Sequence, residues 1–451
     1  MLLTARYVMP VTAPFIENGA VLVRDGLIAD VGTLDELMPR YPGETVRDFG
    51  LAAILPGFVD LHTHLEYSVF RGLVEDAPYS RWKMKVLRKE ARLASSDWDD
   101  SAVLGALEAI QSGITTIADM TTTGASLRAA AAAGLRGVVF REVATMDRSK
   151  ITEVIADALS DIASWRLFAA DAASPIAIGI APHAPYSCHP QVYRAVADLA
   201  RIEGFPVATH LAGSKDEYNF VKWGSSAMAY DVQDAGDWDE TPWLPTGVSP
   251  VRYLLQYGVF DVPNFLAIHC VHVDDADIDV LKDYDVAVAY CPRCNAKLGM
   301  GIAPLKRYMD RGIRIGIGTD SPASSNTVDM FDEMRIGLLL QRAASLDVES
   351  FTAARMIRMA TIWGARALRM QDRIGSIDAG KEADLVAVDL SLSYQVPSPD
   401  PYSAIVHTAN QENTLMTMVG GRILFDRGAP TGLDDRLVIE RAERLRNVLR
   451  A

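Results

Sequence analysis

The stretch Pro56-Gly57-Phe58-Val59-Asp60-Leu61-His62-Thr63-His64 is a short apolar run that ends in polar side chains. Seven further runs of this kind follow, and helical stretches separate them; the runs are 115–119, 137–142, 176–180, 206–210, 265–269, 286–291 and 313–320. Buried strands that alternate with helices are typical of a parallel sheet covered on both faces. Eight of them predict an α/β fold, a (β/α)8 barrel over residues 56–370. An open doubly wound sheet is the alternative, but no glycine-rich turn follows the first strand.

The two ends of the chain have a different pattern. Residues 19–24 form an apolar run that Asp25-Gly26 closes, and residues 27–32 read as the returning strand of a hairpin. Residues 383–389 and 415–425 repeat this pattern of strands and turns. The sequence therefore predicts strand-rich segments at 1–55 and 371–451, outside the barrel.

Composition and charge exclude several classes of protein. The 451 residues are 49% hydrophobic and 23% charged, as in ordinary globular proteins. The net charge of −14 makes nucleic acid an unsuitable partner. No apolar run approaches the ~18 residues of a membrane span, and residues 1–10 lack the basic start of a signal peptide. The four cysteines form no disulfide framework. We therefore expect a cytoplasmic protein that acts on a small molecule without a membrane partner.

Potential site residues lie where the predicted strands end, which is where barrel enzymes carry their catalytic residues. These residues are His62, His64, Asp119, Arg141, Glu142, His183, His210, His269, Cys291 to Asn295, and Asp320. Of the eight histidines in the chain, seven fall in the barrel segment. This concentration is the strongest functional signal in the sequence.

Four of these residues predict a metal site. His62 and His64 are two positions apart on an extended chain, so both imidazoles point to the same side. An isolated pair of this kind would be two surface histidines, but His210 and Asp320 at other strand ends favour a shared ion. Three histidines and one aspartate with an open position are typical of catalytic zinc. Iron or manganese would tolerate the same ligands.

We expect one metal ion per chain. A two-metal site needs a bridging carboxylate, and a carboxylated lysine on the fourth strand supplies it in such barrels. Residues 179–183, where the fourth strand ends, contain no lysine. Cys291-Pro292-Arg293-Cys294 lacks both the partner pair of a structural zinc site and a thioredoxin context, so we expect two buried thiols on a loop.

The combined motifs resemble the amidohydrolase superfamily. The stretch 56–64 is similar to its signature, and matching motifs follow in order at 113–116, 209–212, 268–272 and 318–321. Residues 375–385 resemble the family's return into a small β-sandwich domain built from both chain ends. The resemblance covers nearly the whole chain. It points to the branch of deaminases and chlorohydrolases that act on amino-substituted nitrogen heterocycles, with features similar to both aminodeoxyfutalosine deaminases and S-adenosylhomocysteine/methylthioadenosine deaminases.

The resemblance implies roles for the site residues. Zinc on His62, His64, His210 and Asp320 would activate a water, with Asp320 as general base. His269 would stabilise the developing charge. Glu66, Trp82, His183 and Asn295 are candidate substrate contacts. The implied reaction is the hydrolytic deamination of a purine nucleoside-like substrate, and a homo-oligomer is expected.

One departure from the family leaves alternatives open. Relatives read His-x-x-Glu after the fifth strand, and that glutamate carries a proton to the ring nitrogen. Here the corresponding position is Gly213. Glu217 lies one helical turn further on, and we predict that it replaces the missing acid, although a helix-surface role or an ion pair is an alternative. Hydrolysis of an amide, ester or carbon–halogen bond, or a catalytically impaired metal-binding protein, also remains open.

Residues 218–250 are predicted to form a long segment above the barrel mouth that contributes substrate contacts. The segment carries Trp223, Trp238 and Trp243, with an acidic run at 231–240.

Overall fold

A computed structural model describes residues 1–228 and 244–450 of the chain. The strands within these residues are β1 (Leu2–Val8), β2 (Ile16–Arg24), β3 (Leu27–Thr33), β4 (Val46–Asp48), β5 (Ala52–Pro56), β6 (Phe58–Thr63), β7 (Ile114–Thr121), β8 (Arg136–Val143), β9 (Ile176–Pro182), β10 (Val207–Leu211), β11 (Phe265–His269), β12 (Ala287–Tyr290), β13 (Arg314–Ile317), β14 (Leu385–Asp389), β15 (Thr414–Val419), β16 (Arg422–Asp426) and β17 (Ala429–Pro430).

Helices follow most of the strands in the middle of the chain. The α-helices in the same residues are α1 (Leu34–Arg40), α2 (Tyr79–Glu90), α3 (Ser95–Gln111), α4 (Ala125–Ala133), α5 (Ile151–Asp171), α6 (Pro190–Glu203), α7 (Lys215–Trp223), α8 (Pro250–Leu255), α9 (Asp275–Asp283), α10 (Pro292–Lys297), α11 (Leu305–Arg311), α12 (Pro322–Ser325), α13 (Met330–Ser345), α14 (Ala353–Met359), α15 (Ile362–Ala367), α16 (Pro401–Thr408) and α17 (Asp435–Arg450). Short 3-10 helices span Leu65–Phe70, Arg148–Lys150 and Gln411–Asn413.

The barrel consists of eight parallel strands, β6 to β13, each hydrogen-bonded to the next in chain order. A parallel bridge between Thr63 and Asp320 brings the last strand back to the first. The backbone N–H of Asp320 donates to the carbonyl of His62 at 2.8 Å. The predicted (β/α)8 barrel is therefore confirmed, and its eight strands lie where the apolar runs place them.

Local sequence signals explain where individual helices begin and end. Gly134 ends α4 with φ = 82°, a left-handed conformation that glycine adopts without steric cost. Helix α3 begins at Ser95. The Asp97 carboxylate accepts the Ala94 backbone N–H at 2.8 Å, so Asp97 acts within the first turn of this helix.

The two chain ends form one separate sheet. In the described residues its strands follow the order β17-β16-β15-β14-β5-β1-β2-β3, and β4 pairs with β1. Strands β5 and β14 join the two ends in antiparallel register, with Ala53 opposite Val388. The predicted hairpin at Asp25-Gly26 is present, because Arg24 pairs with Leu27. A barrel with a small sheet domain from both termini is thus confirmed.

The last helix returns to the barrel. Leu445 and Leu449 of α17 are buried in the same apolar cluster as Trp82 and Val86 of α2. Residues of 371–451 therefore contribute to packing beside the barrel as well as to the terminal sheet. Among the described residues, no helix combines the length and apolarity needed to cross a membrane.

Candidate active site

Three imidazoles converge at the carboxyl end of the barrel. His62 lies near the end of β6, His64 directly follows that strand, and His210 lies near the end of β10. Their ring nitrogens all lie within 4.8 Å of one another. The rings of His64 and His210 are nearly parallel, with centroids 5.5 Å apart, and His62 stands at a steep angle to both. The structure therefore brings together the three histidines that the sequence predicts as metal ligands.

Backbone carbonyls orient these imidazoles. Nδ1 of His64 lies 3.0 Å from the carbonyl oxygen of Met120, and Nδ1 of His210 lies 2.9 Å from that of His183. Such contacts hold the proton on Nδ1 and leave Nε2 free to bind an ion. Nε2 of His62 is buried without a hydrogen-bond partner among the described residues. A buried orphan nitrogen beside two oriented imidazoles fits a metal ion.

Asp320 lies between the imidazole cluster and His269. One oxygen, Oδ1, is 3.8 Å from Nε2 of His62, and the other, Oδ2, is 3.8 Å from Nε2 of His269. Oδ1 also accepts the backbone N–H of Ser321 at 2.6 Å. The carboxylate can therefore contact an ion held by the histidines and a group bound beside His269.

Asp60 fixes the relative position of two strand ends, a role that the sequence analysis did not assign to it. It is buried, and its carboxylate accepts the Thr319 hydroxyl at 2.6 Å and the backbone N–H groups of Thr319 and His62 at 3.0 and 3.2 Å. Burial raises the pKa of Asp60 to about 7. Its position in Asp-Leu-His-Thr-His, on the same face as both histidines, was the available signal.

The backbone is strained where two site residues leave their strands. His269 has φ = 73°, Cys270 has φ = 44° and Asp320 has φ = 59°, although none of them is glycine. Such left-handed conformations cost of order 1–3 kcal/mol and persist where the surrounding structure over-determines them. Here they turn the side chains of His269 and Asp320 towards the cluster.

Electrostatics keep the imidazoles neutral. Burial lowers the pKa values of His62 and His210 well below the usual range and that of His64 to about 4. Burial alone would raise the pKa of Asp320, but the facing imidazoles of His62 and His269 outweigh it and lower that pKa. At neutral pH the cluster thus combines neutral nitrogen ligands with an ionised carboxylate, which suits a divalent cation.

A cleft opens beside this cluster. Its described lining residues are His64, Tyr67, Tyr79, Trp82, Lys83, Val86, Glu142, His183, His210, His269, Cys294, Leu298, Asp320, Ser321 and Ser324. The rings of Tyr79 and Trp82 stack with centroids 6.1 Å apart. Stacked aromatic rings next to polar groups suit a flat heterocyclic ligand.

The predicted substrate contacts divide into two groups. Trp82 and His183 line the cleft, but the described lining residues include neither Glu66 nor Asn295. The Glu66 carboxylate accepts hydrogen bonds from three consecutive threonines, Thr121, Thr122 and Thr123, at 2.5 to 3.4 Å. Asn295 is buried next to His269. A role of Glu66 or Asn295 in substrate binding stays a prediction.

Glu217 is buried, and both of its carboxylate oxygens contact backbone. Oε1 accepts the N–H of Ala212 at 2.7 Å, and Oε2 accepts that of Gly213 at 2.9 Å. Ser214 caps α7 by accepting the Glu217 N–H at 3.1 Å. The Ser-x-x-Glu spacing is that of a helix capping box, and this signal in the sequence pointed to a role at the helix start. Glu217 is not among the described residues that line the cleft, and its predicted catalytic role stays a prediction.

Glu142 and Lys83 line the cleft, although the sequence analysis gave neither of them a role. A carboxylate oxygen of Glu142 and ring nitrogens of His183 and His210 lie within 4.8 Å of one another. Burial raises the pKa of Glu142 to about 7, against the opposing charge of Lys83. The position of Glu142 at a strand end was the sequence signal that it could belong to the site. Lys83 lies on α2, and no strand-end pattern marks it.

The four cysteines are free thiols, as predicted, and all four are buried. Cys294 lines the cleft from α10, a helix where the sequence predicted a loop. Trp223 ends α7 and is 55% exposed. Trp238, Trp243 and the acidic run 231–240 lie outside the described residues, so the prediction that 218–250 covers the barrel mouth is untested.

A family model described as the amidohydrolase family matches residues 53–424. The chain belongs to the amidohydrolase family. A shorter model, described as an imidazolonepropionase-like composite domain of bacteria, matches residues 19–43 in the terminal sheet. The predicted superfamily is thereby confirmed, and with it an enzyme that hydrolyses carbon–nitrogen bonds.

Relatives resemble this amidohydrolase over nearly their whole length. A 5-methylthioadenosine/S-adenosylhomocysteine deaminase of Pelotomaculum thermopropionicum is 32% identical over 430 residues, which cover 95% of this chain and 93% of the relative. The protein of the same name from Nitratidesulfovibrio vulgaris strain Hildenborough is 34% identical over 427 residues, covering 93% and 90%.

Solved structures share the fold. An adenosine deaminase from Xanthomonas campestris with bound zinc superposes with a TM-score of 0.86 at 27% identity and covers 100% of this chain and 98% of that one. A zinc-complexed atrazine chlorohydrolase from Arthrobacter aurescens TC1 gives 0.83 at 21% identity, with 99% of both chains covered, and supports the fold alone.

Proposed function

We propose that this amidohydrolase uses one zinc ion to deaminate an adenosine-type nucleoside, replacing the exocyclic amino group by oxygen. The convergence of His62, His64 and His210 with Asp320, beside a cleft that contains the Tyr79–Trp82 stack, is the observation that carries the proposal. The names of the relatives support an adenine ring, with 5-methylthioadenosine and S-adenosylhomocysteine as the first substrates to test.

Each site residue has a part in this chemistry. His62, His64, His210 and Asp320 would hold the ion, which supplies a water activated for attack near neutral pH. Asp320 would take the proton of that water through Oδ2, which lies 3.8 Å from Nε2 of His269. His269 would donate a hydrogen bond to the oxygen as charge develops on it. The aromatic pair would hold the ring flat against the site.

Ammonia release from a substrate panel tests this function. Purified zinc-loaded enzyme should release ammonia from 5-methylthioadenosine, S-adenosylhomocysteine or adenosine. The panel should also include an amide, an ester and a chlorinated heterocycle. Turnover of one of those without ammonia release from any aminopurine would overturn the proposal. Metal binding without turnover on the whole panel would identify an impaired homologue. Cytoplasmic location and homo-oligomeric assembly stay predictions.

A further inference from the structure

Position 213 cannot supply an acid in this chain. Gly213 has no side chain, and a Cβ built on it would lie 2.9 Å from Cε of Met300 and 3.1 Å from Cδ2 of His269. Any side chain at position 213 would therefore crowd the Met300 methyl group and the ring of His269. Deamination nevertheless needs a proton donor for the ring nitrogen, because the ring must accept an electron pair when water adds to it.

Three other buried acids near the site are each held by several hydrogen bonds, and Asp119, which also has a buried oxygen without a partner among the described residues, is not among the described residues that line the cleft. Asp60 binds Thr319 and the N–H of His62. Glu66 binds three threonines, and Glu217 binds two backbone N–H groups. A carboxyl group whose oxygens are occupied in this way has a positional role and is poorly placed to exchange a proton with a ligand.

Glu142 is different. It lies near the end of β8 and lines the cleft, and its Oε2 is buried without a hydrogen-bond partner among the described residues. Unsatisfied buried polar atoms are rare and require an explanation. In the described lining, the carboxyl groups are those of Asp320 and Glu142. Asp320 faces the imidazole cluster, so Glu142 is the remaining acid that a ligand can contact.

The position of Glu142 places it beside the reacting end of the cleft. Its carboxylate oxygen lies within 4.8 Å of ring nitrogens of His183 and His210. His210 belongs to the candidate metal site, so a ring whose reacting carbon is held at that site also lies within reach of Glu142. Lys83, Tyr79 and Trp82 also line the cleft.

We propose that Glu142 donates the proton to the substrate ring nitrogen, because Gly213 provides no acid at its own position. The inference rests on the proposed function and identifies its missing acid. It assigns a catalytic role to the third barrel strand, and it removes the need for Glu217 to leave its backbone contacts.

The protons balance over one turnover. Water loses one proton to Asp320 and bonds through oxygen to the carbon that bears the amino group, while the Glu142 carboxyl proton moves to the adjacent ring nitrogen. The Asp320 proton then passes to the amino nitrogen, and the hydroxyl proton returns to Glu142. The carbon–nitrogen bond breaks, ammonia leaves and a carbonyl forms. Both carboxyl groups end as they began, and the sum is substrate plus water giving product plus ammonia.

Glu142→Gln tests the proposal, because glutamine keeps the shape of the side chain but cannot donate this proton. We expect kcat to fall by about 10²–10⁴-fold, the usual cost of removing a general acid. Zinc content and affinity for the deaminated product should change by less than about threefold. Glu349→Gln, at an exposed position, is the matched control.

Purine riboside gives a second readout that needs no turnover. This analogue has no amino group, and water adds across its ring carbon–nitrogen bond only when the ring nitrogen takes a proton, with loss of the aromatic absorption band. The wild type should show this spectral change on binding, and zinc-loaded Glu142→Gln should not.

Several outcomes would overturn the inference. A zinc-loaded Glu142→Gln with a kcat loss under about threefold, or with a raised KM alone, would exclude Glu142 as the acid. So would a 10²–10⁴-fold loss in Glu217→Gln without one in Glu142→Gln. If Glu142→Gln loses zinc, the activity of Glu142→Ala is measured with and without formate, a small acid that can replace the missing carboxyl group. Undiminished activity of Glu142→Ala without formate would exclude Glu142 as the acid. A wild type that releases no ammonia from any aminopurine would instead defeat the proposed function, and the inference with it.

Discussion

Nε2 of His62 lies 3.8 Å from Oδ1 of Asp320. Two ligand atoms about 2.1 Å from one tetrahedral ion stand about 3.4 Å apart. The pair is therefore close to the spacing that a shared ion needs, and it is too far apart for a direct hydrogen bond. Because the two residues come from the first and last barrel strands, an ion between them would also connect the closing edge of the barrel.

We expect about one divalent ion per chain, as for a four-ligand mononuclear site. His62→Ala and Asp320→Ala should remove the ion and abolish turnover, because each takes away a ligand. Elemental analysis and ammonia release measure the two effects. His407→Ala, a substitution on α16 in the C-terminal segment, is the control and should retain the ion. Two ions per chain, or activity in a metal-free protein, would contradict the site.

Gly213→Glu should destabilise the protein by about 1–3 kcal/mol, the usual cost of overpacking. The new Cβ would meet Cε of Met300 at 2.9 Å and the ring of His269 at 3.1 Å. Met300→Ala removes the first contact, so the two substitutions together should cost less than the sum of their separate effects. A double-mutant cycle from denaturant unfolding measures this coupling. Additive costs would mean that Met300 does not limit the space at position 213.

Glu217 should make stability depend on pH. Burial raises its pKa to about 7 from a usual 4.5, despite the N–H groups of Gly213 and Ala212, which lower it. Between these values the folded state binds the extra proton, so the free energy of unfolding should fall as pH rises, by at most about 1.4 kcal/mol per pH unit.

The matched measurement is the difference in unfolding free energy between the wild type and Glu217→Gln, from urea titrations between pH 4.5 and 7.5. Groups that titrate in both proteins cancel in this difference. The wild type should lose stability relative to the variant as pH rises through this window. A flat difference would show that Glu217 is ionised throughout the range.

Arg136 joins the barrel to the terminal sheet. It begins β8 and donates to both carboxylate oxygens of Asp384, at 2.7 and 3.2 Å, and both side chains are nearly fully buried. Asp384→Asn or Arg136→Met should destabilise the protein by about 3–5 kcal/mol, because each leaves a buried charge without its full partner. The exposed pair Arg128–Asp99 is the control, and Arg128→Met should cost under about 1 kcal/mol. Equal losses in both variants would contradict the assignment.

The barrel could be predicted closely because its strands are buried on both faces. Such strands consist of continuous apolar runs in the sequence, so the length and position of each run indicate the length and position of the strand. The prediction for 265–269 coincides with β11, and that for 206–210 is shifted by one residue from β10. The terminal sheet was less accessible to sequence reasoning. Pairing of β5 with β14 joins segments more than 300 residues apart, and no local pattern specifies such a partner.

The site also contains residues that the sequence could predict and residues that it could not. His62, His64, His210 and Asp320 were predictable because strand ends of a parallel barrel meet at one rim, so their neighbourhood follows from topology. The Glu217 side chain was not, because its direction depends on how the chain turns before α7. Ala212 adopts φ = 51° there, and the N–H groups of residues 212 and 213 face the carboxylate.

By itself the sequence determined the fold class, the order of the strands and the imidazole cluster, because these depend on the periodicity of apolar residues and on which side chains end a strand. Tertiary structure alone decided which buried carboxyl groups have all their oxygens engaged in hydrogen bonds and which do not. Glu66 and Glu217 are occupied by local donors, whereas Glu142 has a buried oxygen without a partner among the described residues. Hydrogen-bond saturation depends on distances of a few tenths of an ångström between segments far apart in sequence, which no residue pattern encodes.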